Sequence, residues 1–529
     1  MDMKKYILSA VAMLVTMPMA AQETYENAKL TGDDLNGTAR YVGMGGAMEA
    51  LGADISTINS NPAGVGLFRH STLSGSAGLL FQSADKGAKG DKTSASFDQF
   101  GFVYSIKSGR NSYVNIAYNY HKSKNFNYIL AAANRLNGAS QNKQTSQKWY
   151  NGAFERNNDN LSTVDGFYMD NFLYSGDDGE GRKMYDGWVD ANSFQLNREH
   201  EGWIADHDFS VSGNINDRVY LGLTLGLKDV NYKHYGEYWE TLVDNSQVGI
   251  QDDRKVDGTG VDVKAGIIVR PVEESPFRIG AYVHTPTWYE LTTENTTRFY
   301  DSSQSSGNVD RDYESYDFKI STPWVFGLSL GHTVGNYLAL GATFEYADYS
   351  QTKTRYIDDR YYDWYSDSFY DDSSSDVEMN RHTENSLKGV ATLKLGAEYK
   401  PTPNLALRAG YNYVSPKYED DAEKATAVYS QDYHADQPIG IYYTSTTDFT
   451  NWKGTNRFTC GIGYQMNRWN VDLAYQYSTQ KGDFRPFGTY IEDAPGAGGQ
   501  IDHTQDNIPS VTSVKNNRSQ LLLTVGYHF

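Results

Sequence analysis

Residues Gln520–Phe529 read QLLLTVGYHF. In an extended strand Leu521, Leu523, Val525, Tyr527 and Phe529 share one face, and Gln520, Leu522, Thr524, Gly526 and His528 share the other. Successive strand side chains point to opposite sides, so this period of two gives one continuous apolar face. The pattern recurs upstream. Val219, Leu221, Leu223, Leu225 and Leu227 alternate with Tyr220, Gly222, Thr224, Gly226 and Lys228. Comparable runs start at Leu338, Leu405 and Trp469. Tyr and Trp gather toward the strand ends, as the aromatic girdles of a membrane barrel require.

About fourteen such strands can be counted, near residues 70–81, 95–106, 112–122, 207–215, 218–233, 256–270, 277–294, 313–332, 337–352, 385–400, 405–415, 453–466, 469–480 and 517–529. Their connections alternate between short and long. Asn216–Asp217, Thr333–Asn336 and Asn467–Arg468 are short; the segments after Gln82, Lys124, Glu237, Asn295, Lys353, Pro416 and Lys481 are long. The fold class that explains this is all-β: a transmembrane antiparallel β-barrel with short periplasmic turns and long extracellular loops. An even count puts both termini in the periplasm. A chain ending on an aromatic strand residue, here Phe529, resembles the assembly signal of bacterial outer-membrane barrels, which implies the barrel assembly machinery as a partner.

Composition agrees with that class. The 529 residues include 42 Tyr and 49 Gly, and mean hydropathy is −0.62. A barrel hides its hydrophobicity in alternation, so a polar average is expected. The net charge of −19 argues against nucleic acid as a partner. The single Cys460 rules out an intramolecular disulfide. Lys4, Lys5, the apolar run Ile7–Val15 and the small pair Ala20-Ala21 read as a secretory signal peptide over residues 1–21.

Between leader and first strand lies Leu35–Phe68, rich in Gly and Ala and without alternation. Glycine weakens strands but lets backbone approach backbone closely. Residues 22–69 therefore read as a plug, or hatch, inside a barrel formed by residues 70–529. Pro62 restricts its own φ and extends Asn61, which makes a rigid bend before the first strand.

The run Gly37-Thr38-Ala39-Arg40-Tyr41-Val42-Gly43-Met44-Gly45-Gly46-Ala47, followed by Ala53-Asp54 and Asn61-Pro62-Ala63-Gly64, resembles the hatch of FadL-type outer-membrane transporters. His284-Thr285-Pro286-Thr287-Trp288 and Ser321-Thr322-Pro323-Trp324 resemble strand segments of the same family. The resemblance implies a monomeric, multi-pass channel in the outer membrane of a Gram-negative bacterium, in contact with lipid and lipopolysaccharide. It implies uptake of small hydrophobic compounds such as long-chain fatty acids. Loops capture the ligand, the hatch rearranges, and the ligand leaves through a wall opening beside a kinked third strand. The third run, Ser112–Lys122, has no Gly to kink at. The long acidic, Tyr-rich loops also suit an alternative: a FadL-like barrel used as scaffold or shuttle in protein secretion or surface assembly.

The hatch candidates are Arg40, Gly43, Gly45, Gly46, Asn61, Pro62 and Ala63. Alternation turns Arg278, His284, Glu345, Lys394, Glu398, Arg408, Arg457 and Asp472 into the lumen. Both signs in one lumen read as a salt-bridge network holding the hatch, joined by Arg40. The sharper reading gives one cation to a ligand carboxylate. Clustered acids in Tyr356–Asp376 and Asp177–Glu180 suit either solvated loops or divalent cations. Gly327-Leu328-Ser329-Leu330-Gly331 matches G-x-S-x-G but lies in an alternating strand, not a strand–turn–helix elbow. No catalytic residue, cofactor or metal is expected, because the histidines show no metal-ligand spacing, and the protein reads as no enzyme.

Overall fold

The computed structural model describes residues 23–82, 92–150, 162–303, 308–363, 368–424, 445–491 and 506–529. The signal-peptide reading falls outside them. Nineteen strand stretches form one closed antiparallel sheet. Five wall strands are each interrupted once, so the wall has fourteen strands. They are β1 (Thr72–Gln82), β2 (Lys92–Lys107), β3 (Tyr113–Asn125, then Tyr128–Arg135), β4 (Ala191–Ile215), β5 (Val219–Leu242), β6 (Gln247–Val269) and β7 (Arg278–His284, then Trp288–Asp301). The circuit continues with β8 (Asn308–Ser321, then Val325–Val334), β9 (Leu338–Asp348, then Lys353–Asp363), β10 (Ser368–Ser375, then Gly389–Thr402), β11 (Leu405–Val414), β12 (Phe449–Met466), β13 (Trp469–Arg485) and β14 (Thr512–His528). β14 closes on β1, from Thr72 opposite His528 to Phe81 opposite Ser519.

The outer surface carries an apolar belt. Leu221, Leu223, Leu225 and Leu227 of β5 are exposed, as are Phe326, Leu328 and Leu330 of β8 and Leu521, Leu523 and Val525 of β14. Exposed Tyr337, Tyr464, Trp469 and Phe529 flank it at the short-turn end, and Trp288 and Trp324 toward the other. A water-soluble sheet would bury such a face; a membrane barrel exposes it to hydrocarbon. Among the described residues no helix is long and apolar enough to cross a membrane. Replacing Leu225 with Arg is expected to cost ~2–4 kcal/mol at mid-belt. The readout is a lower yield of heat-modifiable, membrane-inserted barrel on gels; wild-type yield would contradict the belt.

The strands run further than their apolar alternation suggests. β4, β5 and β6 have 25, 24 and 23 residues, against expected runs of 207–215, 218–233 and 256–270. The reason is a phase inversion. Beyond Leu227 the outward positions of β5 become mostly polar, with Asp229, Asn231, Lys233 and Glu237 beside Tyr235 and Trp239, while Tyr232 and Tyr238 are buried inside. On β4, Phe194 and Leu196 likewise face inward. Above the belt the exterior is water and the interior is a packed core, so the apolar face changes sides.

That upper core contains Phe194, Tyr238, Val248, Ile250, Phe299, Phe484 and Phe487. Two helices from the segment after β3 pack on it, α3 (Gln141–Tyr150) and α4 (Thr163–Tyr168). They roof the long-loop end. Met169–Leu173 continues α4 as a wider helical turn. The short ends need tight turns. Asn216 and Asp217 both take positive φ, the conformation that a two-residue hairpin turn requires.

Candidate functional site

Residues 23–68 fill the lumen. A short helix, α1 (Thr24–Leu30), lies in the long-loop half. Tyr25 stacks on Tyr418 at 5.0 Å and donates to Asn451. Burial disfavours the Glu26 carboxylate, yet Lys29, Arg254 and Lys424 hold it well below the usual carboxylate range. The chain then descends through α2 (Ala39–Gly43) to two 3-10 turns, Ile55–Asn59 and Pro62–Leu67. Leu35–Phe68 thus occupies the short-turn half, and only α1 reaches the other.

The wall meets the hatch with a row of glycines. Gly331, Gly341, Gly396 and Gly410 are cross-strand neighbours on β8, β9, β10 and β11. A Cβ on Gly341 would collide with the Ala47 carbonyl, on Gly396 with that of Met44, and on Gly410 with the Gly45 amide. Backbone lies on backbone there, so small residues are required on both sides. Gly45 and Gly46 take φ of +63° and +80°, and the Gly43 carbonyl accepts from Thr459. At the lower bend the Asn61 side chain accepts from the Ala63 amide at 3.1 Å and donates to the Ile267 carbonyl at 3.4 Å. The Pro62 carbonyl accepts from Ser212. Ala63 is buried.

Arg278, His284, Lys394, Glu398 and Arg457 bond to this hatch directly, and Glu345, Arg408 and Asp472 join them through wall partners. Arg278 donates to the Leu51 carbonyl, and His284 Nε2 lies 2.6 Å from the Ser60 carbonyl. Arg40 and Arg408 both pair with Glu398, at 3.1 and 2.7 Å. Arg408 also pairs with Asp472 at 2.6 Å. Arg457 reaches Asp34 at 3.3 Å. Glu345 accepts from Tyr282 and lies 3.5 Å from Lys394. Lys394 is held more tightly by Glu49, at 2.9 Å. Sequence reasoning missed Glu49, which is fully buried and also accepts from Tyr41 and Thr343. Its neighbours Met48 and Ala50 are apolar, and a carboxylate between them, in a plug, is the signal that was available.

Two cavities lie on opposite sides of the hatch and share no lining residue. The lower, about 190 Å³, opens at the short turns beside Arg40 and Asp54. The upper, about 320 Å³, is bounded by the hatch stretch Ala28–Asn36 and by Phe126, Tyr232, Tyr289, Tyr349 and Trp452. It borders the breaks at Thr285–Thr287 and Thr322–Pro323, where prolines cannot donate to a ladder. Two further lysines line it. Lys417 donates to the Ala28 and Thr31 carbonyls, and Lys124 to those of Thr31 and Gly32. Among the described residues neither has a carboxylate within salt-bridge distance. Burial, reinforced by the charge of Lys124, pushes the Lys417 amine well below its usual value.

The third strand is interrupted without a glycine of its own. β3 pairs with β2 only as far as His121 opposite Gln99. It slips register against β4 between Lys122 and Lys124 and breaks at Phe126–Asn127. The glycine is on the neighbour: Gly202 of β4, at φ +106°, accepts there from the Phe126 amide. Above Gln99 the seam between β2 and β3 is held by side chains. Lys122 donates to Ser96, Asn127 to Ser94, and Asn36 of the hatch to Asp98 and the Lys122 carbonyl.

Ser329 of the G-x-S-x-G match sits in the β8 ladder between Gly280 and Thr343, with no elbow. Asp178 accepts from the Glu180 and Arg182 amides and the Arg182 guanidinium, so its acids form a capped turn. In Tyr356–Asp376, the side chains of 358–370 lie outside the described residues.

No protein-family model and no curated protein matches the chain. Solved structures do. A Pseudomonas aeruginosa FadL homologue aligns over 94% of this chain and 99% of that one, at 12% identity and a TM-score of 0.50. The CymD monoaromatic hydrocarbon channel aligns over 94% and 99%, at 10% identity and a TM-score of 0.48. The Ralstonia pickettii toluene transporter TbuX aligns over the same shares, at 13% identity and a TM-score of 0.44. The chain therefore has the barrel fold of the FadL homologue.

Proposed function

We propose that the protein is an outer-membrane channel of a Gram-negative bacterium for the uptake of small hydrophobic compounds, with long-chain fatty acids as the ligand class. It is read as a channel rather than an enzyme. The observation that carries the reading is the upper cavity, lined by aromatic rings among charged groups, closed below by the hatch and furnished with two lysine amines that, among the described residues, have no carboxylate within salt-bridge distance. Its volume lies within the range of small-molecule pockets, about 300–1,000 Å³. A ligand carboxylate would pair with Lys124 and Lys417 and restore the charge that burial opposes. The same contact would draw both lysines from the Ala28, Thr31 and Gly32 carbonyls, which loosens the hatch turn. Release through the side-chain-held seam between β2 and β3 would return the ligand to hydrocarbon.

The test is binding of a fluorescent fatty acid to purified protein, with uptake by cells carrying it. Lys124→Met with Lys417→Met is expected to weaken carboxylate binding about tenfold, the equivalent of ~1.4 kcal/mol. Affinity for a neutral hydrocarbon should not change. Wild-type protein that neither binds nor admits either probe would overturn the channel. Equal loss for both probes would overturn the carboxylate role.

A further inference from the structure

Just below the seam, β3 and β4 bring together His121, Asp206 and Asp208. One ligand-type atom from each lies within 4.8 Å of the others, and all three residues are buried. His121 is 3% exposed, yet among the described residues neither of its nitrogens has a hydrogen-bond partner, and neither has Asp208 Oδ2. His121 Nδ1 stands 3.6 Å from that oxygen. This is too long for a hydrogen bond. It is close to the roughly 3.4 Å between two donors held at ~2.1 Å around one tetrahedral ion.

The neighbourhood is short of positive charge. Lys228 pairs with Asp206 Oδ2, and Lys264 pairs with Asp208 Oδ1 at 2.8 Å. Asp262 stands 3.5 and 3.6 Å from the two lysines. Three carboxylates face two ammonium groups, and a charged imidazole would have to donate to something. Gly226 makes the crowding feasible: a Cβ there would collide with Asp262 Oδ1 and lie 3.0 Å from Asp208 Oδ1. Asp262 Oδ1 has no hydrogen bond among the described residues, only the Lys264 ammonium at 3.6 Å, which leaves a fourth oxygen at the edge of the cluster.

We propose that His121, Asp206 and Asp208 bind a divalent transition-metal ion, zinc by donor chemistry, at the level where β3 leaves β2. One imidazole nitrogen with carboxylate oxygens suits zinc-class ions. A calcium site would be built from oxygens alone. The ion gives one His121 nitrogen and Asp208 Oδ2 a partner, shares Asp206 with Ser123 and Lys228, and ties β3 to β4 at the foot of the seam.

The test uses full-length protein in detergent, stripped with EDTA and titrated calorimetrically with Zn²⁺, then optically with Co²⁺. One Zn²⁺ per chain is expected, undisturbed by excess Ca²⁺, with a visible Co²⁺ spectrum of low coordination number. His121→Ala and Asp208→Asn should each weaken binding at least tenfold, while His332→Ala, elsewhere in the barrel, should not. Substoichiometric Zn²⁺ in the wild type, displacement by Ca²⁺, or unchanged affinity in both cluster variants overturns the site. If the variants fail to assemble, wild-type stoichiometry and the Co²⁺ spectrum decide, and an octahedral spectrum overturns it.

Discussion

Changing Gly341 and Gly396 to valine is expected to unseat the hatch and leave the barrel standing. Each added side chain enters space held by hatch backbone, at the Ala47 and Met44 carbonyls. A backbone cannot swing aside as a side-chain tip can, so the Met44–Leu51 stretch must lift from the row as a unit. The wall is closed by its own ladder, which does not pass through the hatch. Heat-modifiable barrels should still form, with single-channel conductance in planar bilayers raised severalfold. Gly213→Ala is the control, because an added Cβ at that position meets nothing within 4 Å. Assembled double-valine barrels of wild-type conductance would show that the glycine row does not seat the plug.

The second large effect is expected at Glu49. It is fully buried and accepts from Tyr41 at 3.1 Å, Thr343 at 2.7 Å and Lys394 at 2.9 Å. Lys394→Met removes its cation and leaves a buried carboxylate unpaired. Breaking a buried pair from one side costs about 3–5 kcal/mol. That is roughly two to nearly four orders of magnitude in the opening equilibrium. Amide exchange over Tyr41–Leu51 should speed up accordingly, while β-ladder amides stay protected. Adding Glu49→Leu should recover most of the loss, because an apolar pair of similar volume is nearly neutral. A double variant as open as Lys394→Met alone would mean that Lys394 supports the hatch by packing rather than by charge.

The wall was legible because lipid outside and polar lumen inside write a period of two into Leu221–Leu227 and Leu521–Val525. Above the belt the same period persists with its phase reversed, so Phe194 and Leu196 looked like loop and β4 was begun too late. A kink in β3 leads one to expect a glycine within it; the flexible residue is Gly202, on the strand it leans against. The lumen candidates follow from alternation, because a charged residue on the inward face of a membrane strand has few other uses. Glu49 was invisible to that reasoning, which followed strands, and Glu49 lies in a segment without periodicity. His121 with Asp206 and Asp208 was equally hidden. The ligands come from two strands far apart in sequence, and only the cross-strand register of Asn119 with Asp208 and His121 with Asp206 places them side by side.

The strand extensions also bear on where a ligand is first met. From Asp229 to Leu242, β5 adds a length that, at ~3.3 Å per residue and a tilt of about 40°, rises roughly 35 Å beyond the belt. The mouth is therefore the top of a stiff chimney and not a hole in the plane of the membrane. The ladders of β4 with β5 and of β5 with β6 run through this length and hold its height. On the proposed channel function, an oily molecule arriving from water would leave that water well above the bilayer and cross the intervening depth in the company of protein alone.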